Sequence, residues 1–186
     1  MLKRILLCTF CLSLSLPALA EITLDSLKTI SLVIGGAATF FNAMAAVYAK
    51  QSHDDLKDAS DFEGRMDAQN SQKVSFFASA PSAGLTALGT IAGATLTSPA
   101  FATTTSIFYK LAYMGEWTSF LTNMIALAKV YPNKNVNINN FIISSAYATS
   151  ALAVGLMPIL LARRIHDMRD DNTRLIKSEL DIELVP

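Results

Sequence analysis

The chain has 186 residues, 52% of them in the apolar class and 16% charged, with 15 Lys+Arg against 15 Asp+Glu. A soluble domain carries about 25% charged residues, and here the shortfall is concentrated: 36 uncharged residues separate Lys73 from Lys110, and 28 separate Lys134 from Arg163. A bilayer-spanning helix needs about 20 apolar residues, so composition argues against a soluble enzyme, a nucleic-acid binder and a disordered tail together.

Residues 1–20 read as a secretory signal peptide. Lys3 and Arg4 form the positive region, Ile5 to Leu16 the apolar stretch, and Ala18-Leu19-Ala20 an A-x-A cleavage site before Glu21. Cys8 and Cys11 both fall inside it. The mature chain then holds no cysteine, which excludes disulfides, thiol catalysis and cysteine-ligated metals. Removing Lys3 and Arg4 leaves 13 basic and 15 acidic residues, a net charge of −2.

Residues 21–162 read as four apolar spans at about 29–49, 74–96, 105–128 and 141–162. Gln51 to Lys73 is a charged stretch read as a loop. Thr97-Ser98-Pro99-Ala100 interrupts the long apolar run, because proline lacks a backbone donor and disfavours helix in the residue before it. Lys129 to Asn140, asparagine-rich around Pro132, is a second loop. The fold class is therefore all-α, a polytopic membrane protein. Residues 163–186 form a charged tail with Met168, Leu175, Ile176, Leu180 and Leu184 spaced to give a helix an apolar side, suited to the membrane surface or to a partner.

A shift of 80 positions pairs Ser26 with Ser106, Gly35 with Gly115, Phe40 with Phe120 and Met44 with Met124. A shift of 66 pairs Ser79 with Ser145 and Gly89 with Gly155. This suggests two tandem helical hairpins, with both polar loops on one side of the membrane and both termini on the other. A cleaved signal peptide puts those loops in the cytoplasm and the tail outside. Arg163, Arg164, Arg169, Arg174 and Lys177 make that arrangement conflict with the positive-inside rule; either one apolar block does not span fully, or the tail is tolerated outside because the signal peptide fixes orientation first, and the second is the expectation.

Membrane helices meet through small residues. The candidates are Gly35, Gly36, Gly84, Gly89, Gly93, Gly115 and Gly155, with Gly89 and Gly93 in GxxxG spacing. A thin four-span bundle would turn some of these faces towards other subunits. Glu116 is the intramembrane ionisable residue. Lys110, six residues earlier, lies 240° round the helix, so it does not pair with Glu116 and reads as a snorkelling lysine. Glu116 reads mainly as an interhelical hydrogen-bonding group and secondarily as a proton or ion site. His53 beside Asp54, Asp55 and Asp58 reads as solvated loop, not as a metal site. No nucleotide loop, HExxH, GxSxG or paired-carboxylate spacing occurs, so no catalytic residue, metal or cofactor is expected.

The segment from Met114-Gly115 through Ala128-Lys129, then Val130-Tyr131-Pro132-Asn133-Lys134-Asn135, then Phe141 through Met157-Pro158 is a hairpin of two spans about a short lysine- and asparagine-bearing turn. Together with the signal peptide, it resembles the small inner-membrane subunits of type IVB (Dot/Icm-like) secretion and conjugation systems, of the IcmC and IcmD type. The resemblance covers about half of the mature chain; the charged stretch after Lys50 and the long tail depart from it. It implies a non-enzymatic subunit of an envelope-spanning secretion complex in the bacterial inner membrane. Its partners would be the lipid bilayer and other membrane subunits or further copies of itself, with no nucleic acid. The alternative is a small oligomeric channel or transporter with Glu116 facing a pore.

Overall fold

A computed structural model of the chain describes residues 23–59, 62–95, 99–133 and 136–183, with residues 99–103 and 172–183 as backbone alone. The signal-peptide reading of residues 1–20 lies outside them. Four helices make up the described chain: α1 (Leu24–Asp58), α2 (Arg65–Thr95), α3 (Pro99–Val130) and α4 (Asn139–Glu183). Three of the segments, Leu24–Asp58, Arg65–Thr95 and Asn139–Asp171, are long and apolar enough to cross a membrane. Helix α3 is as long and carries Lys110, Glu116 and Asn123 along its length.

Two boundaries differ from the sequence reading. The stretch Gln51 to Lys73 is not a loop: α1 continues to Asp58 and α2 begins at Arg65. Charged side chains mark where a helix leaves an apolar environment, whereas ending it takes a backbone device. Here α1 ends where Ala59 turns extended at φ −73° and ψ 148°, and Gly64, at φ 86°, a conformation available to glycine without a Cβ clash, stands directly before α2. The tail is likewise no separate unit. With no glycine or proline between Pro158 and Glu183 to stop it, α4 runs on to Glu183. Ile165 is buried with Leu27 and Leu161, and Met168 packs against them, so the first turns of the tail dock on the start of α1. Breaks predicted from proline fit more closely. Pro99 is the first residue of α3, where its missing N–H costs nothing.

Each helix runs antiparallel to the next. His53 on α1 meets Gln69 on α2, and Gly35 meets Thr90. Gln72 meets Asn123, and Thr90 meets Tyr109, between α2 and α3. Asn123 meets Ser144 between α3 and α4, and Asp55 meets Asn140 between α1 and α4. Helices α1 and α4 thereby close a four-membered ring, while diagonal helices scarcely touch.

What faces the ring's centre is unusual for water-soluble proteins. On α2 the buried line is Ala68, Gln72, Ser75, Ser79, Ser82, Thr86 and Gly89; on α3 it is Thr105, Tyr109, Ala112, Glu116, Ser119, Asn123, Ala126 and Val130. The steps alternate between three and four, the 3.5-residue period of a left-handed helix seam. Small and polar side chains fill that seam, and large apolar ones stand outside. Ile107, Leu111, Met114, Trp117, Leu121 and Ile125 form an exposed stripe down α3, and Leu32, Val33, Phe40 and Val47 down α1. In water this arrangement would expose a large apolar surface at a cost of roughly 25 cal/mol per Å²; against lipid it costs nothing.

Glycines set the approach of the helices. A Cβ on Gly35 would lie 2.9 Å from Thr90 Cγ2 and collide with its hydroxyl. One on Gly115 would lie 3.0 Å from the Ala78 carbonyl oxygen and collide with Ser82 Oγ. Gly36 and Gly84 instead face outward with nothing within 4 Å. Gly35→Ala and Gly115→Ala should each therefore lower unfolding stability in detergent by about 1–3 kcal/mol through overpacking. Gly36→Ala should leave it unchanged or raise it by up to ~1 kcal/mol, because alanine is the better helix former. Equal losses at Gly35 and Gly36 would contradict this packing.

Candidate functional site

The centre of the bundle is a ladder of hydrogen-bonding side chains in three layers. Tyr109, Glu116 and Asn123 on α3 each anchor one, seven residues or about 10 Å apart. In the layer nearest the α1–α2 and α3–α4 junctions, Asn123 is fully buried. Its Nδ2 donates to Ser75 Oγ at 2.6 Å and to the Ser119 carbonyl at 2.9 Å. Its Oδ1 accepts from Gln72 Nε2 at 3.2 Å and from Ser144 Oγ at 2.7 Å. Ser119 Oγ lies 3.0 Å from Ser75 Oγ and 2.5 Å from Ser79 Oγ. Ser144 Oγ also lies 3.3 Å from the carbonyl of Ala45, so this one layer joins all four helices.

The middle layer holds Glu116, 1% exposed. Asn42 on α1, also 1% exposed, donates from Nδ2 to Glu116 Oε1 at 2.7 Å across the ring's diagonal. Gly155 on α4 covers the carboxylate, leaving room that a Cβ there would occupy. The third layer is Tyr109, whose hydroxyl donates to Thr90 Oγ1 at 3.2 Å while its ring packs 3.0 Å from the Cβ position of Gly89. Thr105 sits 3.4 Å from that of Gly93.

Of the residues singled out in the sequence, Gly35, Gly89, Gly93, Gly115 and Gly155 thus stand at helix contacts, and Gly36 and Gly84 on the outer surface. Glu116 is at the centre, and Lys110 is exposed and apart from it. His53 Nδ1 lies 3.1 Å from the Gln69 carbonyl, holding α1 to α2; among the described residues no three His, Cys, Asp or Glu side chains gather as metal ligands. The sequence reading missed Asn42, Gln72, Asn123 and the serines. A signal was present: Asn42 is the sole amide or charged side chain between Lys28 and Lys50.

The arrangement can bind helices to one another and hold or exchange a proton at one carboxyl. It presents no nucleophile–base pair in these layers. No family model, curated protein or solved structure matches the chain.

Because Asn123 serves partners on two neighbouring helices, Asn123→Leu would leave Gln72, Ser75 and Ser144 buried without it. Its expected cost is roughly 1–3 kcal/mol in detergent unfolding, against no measurable change for Thr118→Val, whose exposed hydroxyl bonds only its own helix. Equal effects of the two would rule out the ladder as a stabilising feature.

Proposed function

We propose that this chain is a four-span, non-enzymatic structural subunit of an envelope-spanning secretion complex in the bacterial inner membrane, built as two tandem hairpins. The observation that carries this reading is the inside-out bundle: the polar groups are spent on joining its own helices, and what remains for contact is apolar surface. Spacing of charge supports a fourth span. Lys28 and Lys50 bracket about 33 Å of α1, and Lys110 and Lys129 about 28 Å of α3, at 1.5 Å per residue. Both match a hydrocarbon core of about 30 Å. On α3, Glu116, Ser119 and Asn123 face inward, while Ile107, Leu111, Met114, Trp117, Leu121 and Ile125 stand outside.

The outer surface offers two kinds of contact. Phe40 and Trp117 are large exposed aromatics, backed by Tyr147 at 6.1 Å and Phe120 at 6.0 Å. Gly36 and Gly84 are outward notches where another helix could come close, the property that small residues give membrane interfaces. The secretion assignment rests on the resemblance of residues 114–158. A pore lined by Glu116 fits the geometry less well, since Asn42 and Gly155 enclose its carboxylate.

The test is mild-detergent purification of the full chain with mass spectrometry of what accompanies it. Other membrane subunits of a secretion apparatus should be recovered. Gly36→Leu with Gly84→Leu should keep the bundle folded yet cut that recovery about tenfold or more, a loss of ~1.4 kcal/mol. Recovery of a homo-oligomer alone, unaffected by these changes, would contradict the proposal.

A further inference from the structure

We infer that the Glu116–Asn42 pair is an intramembrane binding site for one proton. Asn42 Nδ2 donates to Glu116 Oε1, which satisfies one atom of each group. The other two, Glu116 Oε2 and Asn42 Oδ1, are buried with no hydrogen-bond partner. In the ionised pair both are acceptors, so neither can satisfy the other. One proton on Oε2 resolves both vacancies. The new O–H becomes a donor for Oδ1, while the amide N–H keeps donating to Oε1, and the two groups close into a cyclic acid–amide pair. A proton is taken up from water, no covalent bond of the chain breaks, and the charge of the pair goes from −1 to 0.

No neighbour supplies a competing counter-charge. Helix α1 carries no charged side chain between Lys28 and Lys50, α2 none after Lys73, and α4 none between Asn139 and Arg163. On α3, Lys110 is exposed and points elsewhere. The other titratable groups at this depth are tyrosines. Tyr109 is a heptad away and bonded to Thr90, Tyr113 stands beside Trp117, and Tyr48 stacks on Tyr147. A metal cation is a poor fit, because hard cations gather six or more oxygens and this pair offers two. Leaving a bare carboxylate here would bury a charge against a single hydrogen bond, the arrangement that apolar surroundings penalise most. Gly155 completes the site, since a side chain there would occupy the carboxyl's place.

The experiment is infrared spectroscopy of the full chain in lipid vesicles in neutral buffer. The wild-type spectrum should contain a carbonyl band of a neutral carboxyl group that moves in heavy water, is lost in Glu116→Gln and shifts in Asn42→Ala. Carbon-13 labelling of glutamate in the wild type should move the same band, so the result stands even if a variant fails to fold. Thermal unfolding gives a second readout. In Glu116→Gln the introduced amide N–H can take the place of the acid O–H, so this variant should unfold at the wild-type temperature and Glu116→Ala at a lower one. Absence of the band, or a glutamine variant as destabilised as the alanine variant, would overturn the inference.

Discussion

A helix surrounded by hydrocarbon has no water to hydrogen-bond its polar side chains, and on the proposed membrane reading that single constraint arranges this molecule. Asn42, Gln72, Glu116, Asn123 and a run of serines and threonines must find partners on other helices, so they turn to the shared centre. Once there, they can meet only if backbones come close. Glycine at 35, 115 and 155 and alanine or serine between them permit that approach. The heptad seam, the ring of four antiparallel helices and the outward apolar stripes follow from the same requirement. The hydrophobic effect, which would drive such stripes inward in water, is absent between lipid and leucine.

The two ends of the bundle obey ordinary aqueous rules, which sharpens the contrast. Near the α1–α2 and α3–α4 junctions, Leu56, Ala68, Ala126, Val130, Val136 and Phe141 form a conventional apolar cluster. At the opposite end Leu27, Leu161 and Ile165 form another. Ion pairs occur only outside the middle of the helices, such as Lys57–Asp54 at 2.8 Å and Lys129–Asp67 at 3.7 Å among the described residues. These pairs are exposed to water and salt, which screen them, so they add little to stability. The Lys57 hydrogen bond holds the Asp54 carboxyl below its usual range. Stability therefore resides in the polar middle and its two apolar caps.

Helix number and approximate position were legible in the sequence because charge clusters at the ends of helices and proline marks a break. Helix ends were less so: the charged residues 51–58 and 65–73 stay helical, since polarity reports the surroundings of a helix and not its continuity. Glu116 stood out as an isolated charge. Asn42 and Asn123 did not, because a count of charges passes over amides and hydroxyls, although the seven-residue spacing of Asn123 with Glu116 and Tyr109 is written in the chain. Neighbouring Gly35 and Gly36 look alike in sequence yet point in different directions. Only the placement of α2 against α1 decides which of them is in contact.

Polar residues of α3 face inward and its large apolar ones outward, towards lipid on the proposed four-span reading. Cys8 and Cys11 are the chain's two cysteines, so single-cysteine spin labels can be placed along α3 after replacing them with serine. In lipid vesicles, labels at Leu111, Met114, Leu121 and Ile125 should collide freely with dissolved oxygen. Those at Ala112, Ser119 and Ala126 should be shielded both from oxygen and from a water-soluble nickel chelate. Free access of the chelate to positions 112, 119 and 126 would mean a water-filled interior and would contradict the account.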